Sequence, residues 1–193
     1  MKKFLLILCI LLVGCTQQGD DPEPVEPPEN KFATRTFHAD GVWYDLPLDF
    51  KVLVEAGWFP DVIESVEEEL AQTIEPKTYV QKYYIRNDRY MMAVTLYNPT
   101  DEVITIADAK VGEVEGENRK WLKDDILDFQ VDKSVTFEST KDDIKGLWGE
   151  PTSSKVEGLY EVWTYEHTNV TSTTIYWSVE TDTIFRLRVS NMK

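Results

Sequence analysis

The chain has 193 residues, 20 of them basic and 35 acidic, which leaves a net charge of −15 at pH 7. Charge of that sign and size excludes nucleic acid as a partner and argues against a protein that lies flat on an anionic bilayer. Two cysteines are too few for a disulfide framework, and the two histidines stand in no zinc-ligand spacing with them.

The first predicted element is a leader. Lys2 and Lys3 precede the unbroken apolar run at residues 4–13, which closes in Leu12-Val13-Gly14-Cys15. A helix needs about 20 apolar residues to cross a bilayer, so this run is too short to span. A short basic start, a short apolar core and a small residue before the cut fit an export segment. The ending resembles the signal of bacterial lipoproteins. That resemblance implies cleavage after Gly14, lipid on Cys15, and a protein anchored to a cell membrane on its extracytoplasmic side. More than one acyl chain would then hold it, since a single chain binds only marginally. Cys9 would be lost with residues 1–14, leaving Cys15 without a disulfide partner.

Residues 15–30 read as an acidic, proline-rich tether carrying four of the nine prolines and the acids Asp20, Asp21, Glu23, Glu26 and Glu29. Val25 is its one large apolar residue, too little to repay the entropy of ordering.

The body is expected to form two units, residues 31–116 and 132–193, with a linker at 117–131. In the first, Gly41-Val42-Trp43-Tyr44-Asp45-Leu46-Pro47 predicts a short strand stopped by Pro47. Phe50, Leu53 and Val54 predict a helix over 49–56 that Gly57 closes. Ile63, Val66 and Leu70 share a helical face, which predicts a second helix over 61–73 ended by Pro76. Strands are predicted at 79–86 and 89–97 around an Asn87-Asp88 turn, then at 103–106 and 109–114 after the turn Asn98-Pro99-Thr100-Asp101. The linker is polar, with a helical turn expected near 122–127. The second unit opens with a strand at 135–137. Thr140-Lys141-Asp142-Asp143 has the spacing of a capping box, and Ile144, Leu147 and Trp148 form the apolar stripe of a helix ended by Gly149 and Pro151. Strands follow at 160–167, 173–179 and 183–190. In the last, Phe185, Leu187 and Val189 alternate with Arg186, Arg188 and Ser190, so one sheet face is expected to be wet. The predicted fold class is α+β: two small units, each with short helices packed on an antiparallel meander.

The stretch from Phe137 through Thr140, Gly149 and Pro151, followed by Tyr160-Glu161-Val162-Trp163-Thr164-Tyr165, is similar to small bacterial lipoproteins of the outer-membrane assembly group and to the related β-lactamase-inhibitor-like fold. The first unit, with Leu46-Pro47, Gly57-Trp58 and the Asn98-to-Asp101 turn, is similar to uncharacterised lipoproteins of Firmicutes. These motifs are caps and turns, so the resemblance implies fold more than activity. The inhibitor likeness implies a sheet able to grip a partner, or an inhibitor of an envelope enzyme.

Catalytic material is thin. His38 and His167 stand in no metal-ligand spacing, and no nucleophile elbow, phosphate-cradling glycine run or His-Glu-x-x-His occurs. Ser153-Ser154-Lys155 reads as a loop after the helix. The acids Asp124, Asp125, Asp128 and Asp132 lack calcium-loop spacing. No catalytic residue, metal or cofactor is therefore assigned. The expected function is a non-catalytic cell-envelope module that binds an envelope protein through exposed aromatics, with Trp43, Trp163, Tyr165 and Trp177 as candidates. Gly57, Thr140, Gly149 and Pro151 are structural caps. A lipoprotein binding a small molecule or glycan is the alternative, and it predicts a pocket between the two units with converging polar groups.

Overall fold

The computed structural model describes residues 35–119 and 127–192. The chain divides into Met1–Asn30 and Lys31–Lys193, and every described residue belongs to the second unit. The leader, Cys15, the proline-rich stretch and all of the expected 122–127 turn except Leu127 lie outside the described residues.

Strands β1 (Thr36–Ala39) and β2 (Val42–Asp45) form a hairpin, and β3 (Leu48–Asp49) runs straight into helix α1 (Phe50–Glu55). Phe50 and Leu53 anchor α1 in the core, and Gly57, at φ +90°, donates to the Val54 carbonyl (3.0 Å) to stop it as predicted. After β4 (Phe59–Pro60) the second helix is shorter than its periodicity predicts: α2 spans only Val66–Leu70. Ser65 is its cap, accepting from the Glu68 amide at 3.3 Å. Residues 61–64 instead follow β4, where the Asp61 amide donates to the Tyr84 carbonyl, and Ile63 is fully exposed.

Next come β5 (Thr73–Ile74), β6 (Tyr79–Arg86), β7 (Met91–Tyr97), β8 (Ile104–Thr105), a 3-10 turn and β9 (Lys110–Glu117). The second half holds β10 (Phe129–Val131), β11 (Val135–Thr136), α3 (Lys141–Trp148), β12 (Ser153–Glu157), β13 (Tyr160–Glu166), β14 (Thr171–Ser178) and β15 (Ile184–Asn191). Helix α3 has its capping box with both bonds made: the Asp143 amide donates to Thr140 Oγ1 (3.2 Å) and the Thr140 amide donates to Asp143 Oδ2 (2.9 Å). Residues 153–155, read as a loop, are strand β12 at a sheet edge.

The expectation of two α+β units is overturned. The fold is mostly β, and the three described helices have six, five and eight residues. One antiparallel sheet, ordered β12-β13-β14-β15-β9-β7-β6-β4 with β3 also on β9, takes strands from both halves. Its join is β9, which pairs with β7 on one side and β15 on the other, setting Arg188 opposite Glu115 and Leu187 opposite Gly116. Two separate meanders would each leave an unpaired edge there, with a row of backbone N–H and C=O groups needing partners. Pairing β9 with β15 removes both edges at once. The stretch read as a linker also contains structure: Glu117 ends β9, and β10 pairs with β1 in a smaller sheet ordered β11-β10-β1-β2.

Strands β5 and β8 pair as a third, two-stranded sheet, and the core lies between the two larger sheets and under the helices. Trp163, Ile175, Trp177, Leu187, Val114 and Leu96 project from the large sheet and are buried. Phe129 of the small sheet covers Gly116, where a Cβ would stand 2.8 Å from the Phe129 ring, so glycine sets the distance between the sheets. The other face of the large sheet carries Arg186, Arg188, Glu113, Glu115 and Glu117, as the alternation in β15 predicts. The alternation breaks at the strand's start, where a bulge between Tyr176 and Trp177 leaves Ile184 buried and sends Phe185 onto Tyr160 (ring centroids 4.9 Å).

Candidate functional site: a cavity at one end of the sheet

Strands β6, β7 and β15 end together, and a cavity of about 490 Å³ opens among them and the neighbouring loops. Tyr79 opens β6 and Tyr97 closes β7, and the hairpin register sets them directly opposite each other. Paired positions of this kind hold side chains about 5 Å apart at Cβ. Pro47, Pro99, Val170 and Met192 complete the apolar lining, with Lys77, Thr78, Asn98 and Asn191 as polar neighbours.

Each wall has a local cause. Asn98 ties its own loop to the end of β5: its Nδ2 donates to the Ile74 carbonyl (3.0 Å) and the Glu102 carbonyl (2.7 Å), and its Oδ1 accepts from the Thr100 amide (2.9 Å). Its own amide donates to the Thr78 carbonyl, which ties the β7 end to the β6 start. Asn191 Nδ2 donates to the Leu46 carbonyl at 2.8 Å and draws the loop carrying Pro47 against the last strand. The Met192 amide donates to the Val170 carbonyl, fixing the opposite wall. Below lies Gly112. A Cβ there would collide with Met192 Cγ and stand 3.1 Å from Tyr97 Cδ1, so the bare backbone lets both side chains lie down on β9.

The electrostatics of the cavity are close to neutral. Among the described residues Lys77 is the one charged side chain in its lining, and that ammonium donates to the Pro99 carbonyl (2.7 Å) and pairs with Asp101 at 3.3 Å. Burial raises the Tyr97 phenol above its ordinary value, against a smaller opposing pull from Lys110, so the hydroxyl stays protonated at neutral pH. Among the described residues neither the Tyr79 nor the Tyr97 hydroxyl has a hydrogen-bond partner. Asn191, with its Nδ2 engaged, keeps Oδ1 as an acceptor.

The aromatics proposed from sequence lie elsewhere. Trp43 is 40% exposed on β2, with its ring 5.0 Å from His38 and the Lys133 ammonium 6.0 Å over it. Trp163, Tyr165 and Trp177 are buried, so three of the four recognition candidates belong to the core. Trp163 and Trp177 meet edge to face at 5.3 Å, and Trp163 Nε1 donates to Glu161 at 2.7 Å. The Lys141 ammonium lies against both indoles and bridges Glu161 (2.8 Å) and Asp182 (2.6 Å). Tyr165 donates to the Gly149 carbonyl at 3.2 Å, holding the end of α3 against the sheet. Gly149, at φ +79°, caps that helix. Cys15 lies outside the described residues. The alternation of the strands marked these aromatics as sheet residues but did not say which face was covered. The cavity residues were missed because each sits at an element's end, and no local pattern brings residues 47, 79, 97 and 191 together.

The densest charged cluster is the lattice on the open sheet face. Glu115 accepts from Arg188 Nε (3.0 Å) and pairs with Arg188 Nη2 (2.9 Å), while Arg186 Nε stands 3.2 Å from its other oxygen. Arg186 Nη2 also donates to Glu117 (2.7 Å), and Arg188 Nη2 to the Tyr176 hydroxyl (2.6 Å). These charges answer one another within the chain. Among the described residues no three His, Cys, Asp or Glu side chains are grouped to hold a metal ion, and no helix is long and apolar enough to cross a membrane. His167 Nε2 lies 2.9 Å from Thr173 Oγ1, and burial lowers the imidazole's pKa. Thr173 is 1% exposed, out of reach of a substrate.

No family model, no curated protein and no solved structure matches this chain.

Proposed function

We propose that this chain is a non-catalytic binding protein of the cell envelope, tethered to a membrane by lipid on Cys15, and that the cavity beside Tyr79 and Tyr97 takes a small molecule. The observation that carries the reading is the cavity itself. Its volume of about 490 Å³ falls in the range of ligand sites, and its wall of two tyrosines, two prolines, a valine and a methionine with a few polar groups has their composition. It draws residues from both halves of the body. The test is a ligand screen on the purified full chain, read by the rise in unfolding temperature that a native-state ligand must cause. A saturable rise for a small molecule that is lost in Tyr97→Ala supports the reading. Binding of equal strength in the variant would place the site elsewhere.

A second reading, an envelope protein as partner, is favoured by a specific feature. Edge strand β12 is exposed along its length, with its own Val156 exposed at 69% and Leu159 and Val179 nearby at 76% and 59%. An open edge with apolar side chains is a template for another strand. Crosslinking in native membranes, compared between the full chain and a Val156→Lys variant, tests it: a partner retained equally by both would remove β12 from the interface.

A further inference from the structure

Resting on the reading that the cavity is the recognition site, we infer that its ligand is an uncharged sugar ring, a neutral pyranose unit of a glycan, packed against Tyr79 and Tyr97. The lining disfavours both charged and purely aliphatic ligands. A charged ligand would bury its charge where the cations among the described residues are already engaged: Lys77 of the wall by Asp101 and the Pro99 carbonyl, and Lys110 opposite Tyr97 by Asp49. A buried charge without a partner is costly. A purely aliphatic ligand would suit Pro47, Val170 and Met192, but it would strip water from the hydroxyls of Tyr79 and Tyr97 and from Asn191 Oδ1 and return nothing to them. Covering a polar group without a replacement hydrogen bond is unfavourable.

A pyranose meets both demands. Its ring faces present C–H groups that lie flat on aromatic and proline surfaces. Its equatorial rim presents hydroxyls that both donate and accept, as the two phenols do, and that can donate to an amide oxygen. The exposure of Tyr79, 58%, places an aromatic platform at the mouth. A further sugar unit could rest there while the first fills the cavity, so the site suits a chain end or a short oligosaccharide.

The experiment uses the full chain with 13C-methyl methionine. The chain has four methionines, and Met192 lines the cavity, so its methyl signal, assigned by Met192→Leu, reports occupancy by any ligand. The chain is titrated separately with neutral oligosaccharides (N-acetylchitobiose, cellobiose, maltotriose), with glucuronic acid, and with indole as an uncharged apolar probe. The expected result is a saturable shift of the Met192 methyl with at least one neutral saccharide and none with glucuronic acid. Tyr79→Ala should weaken that binding by about tenfold or more, and Tyr97→Phe, which removes only a hydroxyl, should weaken it by a smaller factor. A shift with indole but with no neutral saccharide would overturn the sugar assignment and leave the cavity standing as a small-molecule site. No shift with either would overturn both. Binding of glucuronic acid as tight as that of the neutral sugars would overturn the neutrality argument.

Discussion

The lattice around Glu115 and the cavity beside Tyr97 are built on the same strands, β9 and β15 among them, yet they treat their polar groups in opposite ways. In the lattice two arginines converge on one carboxylate that is 8% exposed, and Glu117 and Tyr176 each take a further donor, while Arg186 Nε stands 3.2 Å from Glu115 without a well-directed hydrogen bond. At the cavity the side-chain amides of Asn98 and Asn191 donate to backbone carbonyls, while among the described residues two phenols and the Asn191 amide oxygen keep their capacity. The difference teaches where to look for function. A polar cluster that satisfies itself holds the fold together, and one left unsatisfied beside an apolar hollow is available to something from outside.

The sharpest way to break the comparison is Glu115→Ala. It leaves two guanidinium groups sharing a half-buried face without their common partner, and removing one member of a buried ionic group costs about 3–5 kcal/mol. Urea unfolding should show that loss, and ligand response at the cavity should persist wherever the variant is folded. Next in size is Gly112→Ala, which drives a methyl into Met192 and toward Tyr97. Overpacking of this kind costs about 1–3 kcal/mol, and here the Met192 methyl signal should move and ligand binding should fall. Thr140→Ala removes the accepting oxygen of the α3 cap and should cost about 1 kcal/mol, with cavity binding unchanged.

A pH experiment probes the self-contained side again. The Lys141 hydrogen bond, and then that of Trp163, hold the Glu161 carboxyl below its ordinary value. A depressed carboxylate stabilises the fold at neutral pH, and the contribution is lost as pH falls through the ordinary carboxylate range and below it. Glu161→Gln should therefore show a shallower loss of stability between neutral and acid pH than the parent chain. The smallest stability effect belongs to Tyr79→Ala. At an exposed site it should stay within about 0.5 kcal/mol, yet it should produce the largest loss of ligand binding. A stability loss as great as that of Glu115→Ala would mean that Tyr79 belongs to the frame and not to the site.

How much of this was legible in the chain follows from the range of the forces involved. Helix α1 and its Gly57 stop, the α3 capping box, the turn at Asn98 and the hairpin of β6 and β7 all depend on residues a few positions apart. Their spacing announced them. The helix expected over 61–73 starts only at Val66, where Ser65 supplies the cap, while Asp61 stays beside β6 through its bond to the Tyr84 carbonyl. Trp163, Tyr165 and Trp177 were recognisable as strand aromatics, but whether such a face meets solvent or another layer depends on what folds over it. The cavity was illegible for a similar reason, since Tyr79 and Tyr97 are strand ends and Asn191 reaches Leu46 across most of the chain.

By itself the sequence determined helix α1 with its Gly57 stop, the capped helix α3, the hairpin of β6 and β7, the acidic balance, and the alternation that puts Arg186 and Arg188 on one face. These follow from backbone stereochemistry and from the period of apolar residues, which act over one or two turns. Only the tertiary structure decided that the two halves share one sheet through β9 and β15, that three of the prominent aromatics are core, and that a hollow opens where β6, β7 and β15 end. Those outcomes depend on satisfying strand edges and covering apolar faces across separations of some seventy residues, as in the Arg188–Glu115 pair. No local pattern encodes that choice, because it is made by the whole chain at once.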